Sequence, residues 1–206
     1  MITLYHSPFS RSSRIVTLID ELGALDRVRI RDVTIRRAIP PSGERDPANP
    51  HPEGKVPLLV DGPALIREST AILLYLTEKF PEAKLGAAPG TAERGRFLSW
   101  IAYYGSVVEP VVIFDRMEIT HPFLRDSYRG MHEVLESFAR ALDAGPYLLG
   151  ERFTAVDLLM SSTFAWYPDG LPDLKSIQDW HARCQARPAV ARTVARDRAA
   201  MEAMAA

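Results

Sequence analysis

A chain of 206 residues can hold one large domain or two small ones, and its 47% hydrophobic and 25% charged residues are the balance of an ordinary soluble protein. A net charge of −1 excludes the broadly basic surface that general nucleic-acid affinity requires. No apolar run approaches the ~20 residues of a bilayer span, the N-terminus lacks the basic and long apolar stretches of a signal peptide, and the single cysteine, Cys184, excludes an internal disulfide. The expected compartment is therefore the cytoplasm, with no membrane partner.

Residues 2–5 read as a strand. Ile15, Leu18, Ile19 and Leu22 then recur at helical spacing, and Gly23 stands where a helix C-cap belongs. Residues 28–33 alternate apolar and charged, as a half-buried strand does, and a strand–helix–strand order implies a parallel pair with a crossover helix. Pro40, Pro41, Pro47, Pro50 and Pro52 then exclude a long regular helix. The apolar run 57–60, entered through Pro57, reads as a strand at an edge or a bend. Asp61-Gly62-Pro63 reads as a turn and residues 64–66 as another strand. Ser69 is the expected N-cap of a helix with Ile72, Leu73, Leu76 and Phe80 on one face, ending before Pro81.

Residues 81–90 read as a linker, and everything beyond as helix. Phe97, Trp100, Ile101, Tyr104 and Val108 form one stripe; Met131, Val134, Leu135, Phe138 and Leu142 form another. The expected organisation is a small mixed α/β domain over 1–80, a linker over 81–90 and an all-α domain over 91–206. Thr154 followed by Asp157 before an apolar run is a capping box, a folding feature that leaves Asp157 outside the site. Cys184 falls on a late helix and reads as an inert thiol.

The chemistry gathers in two places. Ser7-Pro8-Phe9-Ser10-Arg11-Ser12-Ser13-Arg14 joins the first strand to the first helix, where free N–H groups and the positive dipole end favour an anion. A serine hydroxyl there can donate to a bound thiolate. No cysteine is present, so disulfide exchange by the protein itself is excluded. In the second place, a cis Val56–Pro57 bond would turn the Val56 backbone outward to pair with a peptide-like ligand, and the N–H groups around Ser69 offer a carboxylate site. Together they describe a pocket for a small, anionic, peptide-like molecule. His51, His121, His132 and His181 have no partners at zinc-ligand spacing, so no metal is expected.

Lys55-Val56-Pro57 followed by Glu68-Ser69 resembles the glutathione-binding half of the cytosolic glutathione transferases, and the order of domains resembles them over nearly the whole chain. The resemblance implies a thioredoxin-like N-terminal domain and an all-helical C-terminal one. It implies that Val56, before Pro57, pairs with the cysteinyl backbone of glutathione, that Glu68 and Ser69 hold its γ-glutamyl end, and that Lys55 and His51 hold its glycine carboxylate. Counted back from the arginine of the first helix, Ser10 falls best on the catalytic serine of the serine-type, theta-like bacterial members; Ser12 and Ser13 are runners-up. The chain departs from the cysteine-type members, which carry a cysteine near Arg11, and Tyr5 is out of register with the tyrosine of the tyrosine-type members. Tyr5 is expected to pack, and His6 to be hydrogen-bonded structure. The resemblance further implies glutathione as substrate, a small electrophile entering beside Tyr103 and Phe114, and a homodimer. Isomerase, dehalogenase or peroxidase chemistry with glutathione, or non-catalytic binding, are the alternatives.

Overall fold

The computed structural model describes residues 1–38 and 41–205; Pro40 lies outside the described residues. Contacts divide the chain into two compact units, Met1–Ala83 with Pro188–Ala206, and Lys84–Arg187.

In the first unit, β1 (Ile2–His6) runs parallel to β2 (Val28–Asp32) through the crossover helix α1 (Ser13–Glu21). After a short hairpin of β3 (Arg37–Ala38) and β4 (Pro41–Ser42) come β5 (Leu58–Asp61), β6 (Ala64–Arg67) and α2 (Ser69–Lys79). The sheet order is β2-β1-β5-β6, with β5 antiparallel to both neighbours. The mixed sheet with a crossover helix is the expected architecture. Leu4, Ile15, Leu18, Ile19, Leu58, Leu59, Ile72, Leu73 and Leu76 are completely buried as its core. Strand periodicity then has a consequence at the end of β1: Ile2, Leu4 and His6 share the inward face, so the alternation carries a histidine into the interior.

Two expectations change. β5 is an interior strand, so of edge and bend only the bend applies; Pro57 precedes the first ladder residue, Leu58, and no ladder bond is lost. Ser69 is not the N-cap of α2 but its first residue. Glu68 holds the cap position, with φ 69° and no side-chain cap hydrogen bond.

In the second unit lie α3 (Ala92–Tyr103), α4 (Glu109–Arg116), α5 (Pro122–Tyr128), α6 (Met131–Leu142), α7 (Ala155–Trp166) and α8 (Lys175–Gln185). Phe138 meets Trp100, Phe164 and Trp180 at centroid distances of 5.7, 6.2 and 5.6 Å, forming an aromatic core. The capping box is present: Thr154 Oγ1 accepts from Val156 N–H, and Asp157 accepts from the Thr154 N–H at 2.9 Å. Asp157 also accepts from Leu148 N–H and the Trp180 indole, which ties α7 to α8. Cys184 is buried and its thiol is pushed up to about 12, first by burial and then by the Asp157 charge, so it is inert as expected.

A π-helical turn, Tyr104–Val108, joins α3 to α4 without a break. Pro110 lacks the N–H that would bond the carbonyl four residues earlier, and its ring crowds that carbonyl, which favours a wider turn. The result is a 25-residue helix over Ala92–Arg116. Among the described residues this helix is long and apolar enough to cross a membrane by length and composition, although Glu109 interrupts its apolar run. Phe97, Ile101, Tyr104, Val108, Val111 and Val112 on it are buried in the second unit.

The last helix, α9 (Pro188–Ala205), differs from the expected division, which grouped it with the helical domain through residue 206. It packs on α1 within the first unit. The contacts are polar: Arg192 forks onto Asp20 at 2.7 and 2.9 Å, Arg196 reaches Asp32 at 2.9 and 3.0 Å, and the Thr17 hydroxyl donates to Thr193 at 2.9 Å. A hydrophobic-stripe reading is blind to such a face.

Candidate active site

The β1–α1 loop folds around its own serines. The Ser10 hydroxyl donates to the Ser7 carbonyl at 2.7 Å and lies 2.7 Å from Ser12 Oγ, while the Ser12 N–H donates back to Ser10 Oγ at 3.2 Å. Ser12 is completely buried; Ser10 and Ser13 are half-buried. The Ser13 hydroxyl donates to Asp197 Oδ2 at 2.6 Å, and the N–H of Phe9 donates to the same oxygen at 2.8 Å. The outer side of the loop is held by Arg37, which donates to the Pro8 carbonyl at 2.9 Å.

His6, expected to be hydrogen-bonded structure, lies beneath this loop with no exposure. Its Nδ1 is 2.7 Å from Ser12 Oγ and its Nε2 is 3.0 Å from Asp197 Oδ1. Burial acts to raise the Asp197 carboxyl, but the hydrogen bonds from His6, Ser13 and the Phe9 N–H together outweigh it and hold the group below the usual carboxylate value. Asp197 was missed by the sequence reading. The only trace of it is Ala189, Thr193 and Asp197 at four-residue spacing, all buried, on one face of α9.

At the second place, Val56–Pro57 is cis, and Val56 lies before the β5 ladder begins at Leu58. The loop leading to it is held by Asn49, a buried residue that the sequence reading also missed. Asn49 accepts from His51 N–H at 3.1 Å and donates to the Lys55 carbonyl at 3.1 Å. An Asn-Pro turn signal at 49–50 was its available trace. His51 is buried, and its Nδ1 accepts from Glu53 N–H, so Nε2 carries the proton in the neutral ring. Burial pushes His51 below the ordinary imidazole value; Glu53 opposes this and Arg67 and Lys55 add to it. Lys55 is exposed and its ammonium pairs with Glu53 at 2.5 Å. Ser69 is buried at the start of α2, and Glu68 is exposed beside it. Among the described residues no cluster of acid, histidine and cysteine ligands forms a metal site.

Tyr103 and Phe114 both lie in the second unit and are half-buried. Tyr103 lines an open cavity of about 620 Å³ with Arg96 and Trp100, its ring edge-on to Trp100 at 5.8 Å. Phe114 lies apart from this lining, edge-on to Tyr128 at 5.7 Å. The two aromatics are not brought together on one wall.

The pattern for the family described as "Glutathione S-transferase, N-terminal domain" matches residues 4–84, which span β1 to α2. Glutathione S-transferase aclG of Aspergillus oryzae is 30% identical over 164 residues, 71% of this chain and 74% of the relative. Glutathione S-transferase 3 of Schizosaccharomyces pombe is 28% identical over 92% of this chain and 85% of its own. A crystal structure of a glutathione transferase from Methylococcus capsulatus superposes with a TM-score of 0.75 at 26% identity, covering 96% of this chain and 98% of that one. Relatives covered over most of their length, on the same pair of domain types, leave one conclusion: the chain belongs to the glutathione S-transferase family.

Proposed function

We propose that this protein binds glutathione in its first unit, holds the thiol as thiolate with the hydroxyl of Ser10, and conjugates it to a small electrophile. The observation that carries the choice of serine is the different state of the three hydroxyls. Ser12 is completely buried, and the Ser13 proton is committed to Asp197. Ser10 is half-buried, and its proton rests on a backbone carbonyl that it can leave. A free thiol has a pKa near ~8.5, so lowering it by ~2 units needs ~2.7 kcal/mol. A charge-assisted hydrogen bond contributes ~1.5–3 kcal/mol and the helix dipole up to ~1.

In this reading Val56 pairs with the cysteinyl backbone beside Pro57, and Glu68 and Ser69 hold the γ-glutamyl end. Lys55 and His51 hold the glycine carboxylate. His51 does so as a neutral donor, since its protonation is disfavoured, and Lys55 does so by exchanging Glu53 for the ligand. Tyr103, on the cavity wall, is the better candidate of the two aromatics for contact with an electrophile. Cytoplasmic location and homodimer formation belong to the same reading.

Calorimetric titration with glutathione tests binding, and a product screen separates conjugation from isomerisation, dehalogenation and peroxide reduction. Ser10→Ala tests the chemistry: bound-thiolate absorbance should titrate ~1–2 units higher and turnover near neutral pH should fall ~10–100-fold. Affinity for glutathione should change little. An unchanged pH profile in Ser10→Ala would remove this residue from the role.

A further inference from the structure

Ser10 is the outer end of a continuous chain of polar contacts that runs inward to a buried carboxylate. Ser10 Oγ lies 2.7 Å from Ser12 Oγ, Ser12 Oγ lies 2.7 Å from His6 Nδ1, and His6 Nε2 lies 3.0 Å from Asp197 Oδ1. An ionised carboxylate only accepts, so in the neutral ring Nε2 carries the proton and Nδ1 is an acceptor. Ser12 has one proton and three acceptors within reach: His6 Nδ1, Ser10 Oγ, and the Ser7 carbonyl at 3.3 Å. The N–H of Ser7 already donates to its oxygen at 3.1 Å. Which acceptor receives the Ser12 proton is therefore set by whether Nδ1 of His6 is free. Ser12, His6 and Asp197 also have the order of a hydrolytic triad, but complete burial of Ser12 keeps any substrate carbonyl away.

We propose that His6, held by Asp197, is the acceptor of the proton that leaves the thiol of glutathione, and that Ser10 and Ser12 relay it; the inference rests on Ser10 facing the thiol. The S–H bond breaks and its proton bonds to Ser10 Oγ, as the Ser10 proton passes to Ser12 Oγ and the Ser12 proton passes to His6 Nδ1. The electron pair stays on sulfur. Afterwards every hydrogen bond in the chain points outward: imidazolium to Ser12, Ser12 to Ser10, Ser10 to thiolate. The relay that accepts the proton thus becomes the donor chain that stabilises the anion, and net charge is unchanged.

Charged side chains from two elements face the ring. Asp32, at the end of β2, places Oδ1 4.0 Å from Nε2, and Asp197 comes from α9. Arg196 of α9 pairs with Asp32 at 2.9 Å and lies 3.9 Å from Asp197. Two carboxylates against one guanidinium leave a single negative charge opposite the ring. Asp197 is kept ionised by the hydrogen bonds it accepts from Ser13 and the Phe9 N–H. His6 and Asp197 touch no reacting atom in this scheme; they act through the serines, as positioning and proton-holding residues.

The test counts protons. Wild-type protein is mixed with glutathione near pH 7 in lightly buffered solution, with thiolate read from its ultraviolet absorbance and released protons from an indicator dye. If the relay holds, thiolate forms without a matching release of protons to solvent. In Asp197→Asn and His6→Gln, thiolate at the same pH falls about tenfold, the effect of one pKa unit, and what remains is matched proton for proton by release. Wild-type thiolate accompanied by one released proton each overturns the relay while leaving Ser10 as a thiolate donor. Glutathione binding with no thiolate at all overturns the reading of Ser10 and the relay together. The wild-type count decides the matter even if a buried substitution prevents folding.

Discussion

Glu68 holds φ 69° and ψ 128°, a backbone region that costs a residue with a Cβ roughly 1–3 kcal/mol. Its carbonyl accepts the first bond of α2 from Ile72 N–H at 3.0 Å, while its side chain is left free of capping duty. An exposed carboxylate held in this conformation beside a buried serine is consistent with the proposed task of holding the charged γ-glutamyl end of glutathione. That end does not change during reaction, so the contact stabilises ground and transition states alike. Glu68→Gln or Ser69→Ala should therefore raise KM for glutathione with little change in kcat, measured by steady-state kinetics with a saturating electrophile. A large fall in kcat at saturating glutathione would assign these residues to the chemistry instead.

The element that most changes the picture is α9. It lays Thr193 and Asp197 against α1 and the β1–α1 loop and fixes its flanks with Arg192 to Asp20 and Arg196 to Asp32. Asp197 titrates below the ordinary carboxylate value of ~3.9, so the unfolded chain takes up this proton before the folded one does as pH falls. Its contribution is complete above that value and is lost as pH falls through the depressed folded value. Denaturant unfolding of wild type and Asp197→Asn should show a stability gap that narrows as pH falls below about 4. A gap that persists undiminished into strong acid would mean that Asp197 stabilises α9 by packing and not by its charge.

At the scale of the whole molecule, each unit has its own core, leucine and isoleucine in the first and aromatic in the second. The helix over Ala92–Arg116 leaves part of its apolar surface uncovered, and Leu98 on it is 38% exposed. A second copy over this face belongs to the proposed homodimer. Sedimentation equilibrium at micromolar concentration should give twice the 23.0 kDa of the chain. A mass of 23.0 kDa alone at that concentration would count against the homodimer.

The sequence by itself determined the features whose physics is local. Ile15, Leu18, Ile19 and Leu22 specify α1 by spacing, and Gly23, at φ 62°, ends it as a glycine can. Thr154 and Asp157 specify the start of α7, and the Val56–Pro57 and Glu68–Ser69 pairs carried the family. What tertiary structure decided depends on partners far along the chain. β5 became interior because β1 and β6 flank it, and α9 joined the first unit through side-chain ion pairs. His6 and Asp197, 191 residues apart, meet in a place where each would be costly to bury without the other. Periodicity assigns an aspartate between two arginines to solvent; only a buried imidazole, the Ser13 hydroxyl and the Phe9 N–H make the opposite placement favourable.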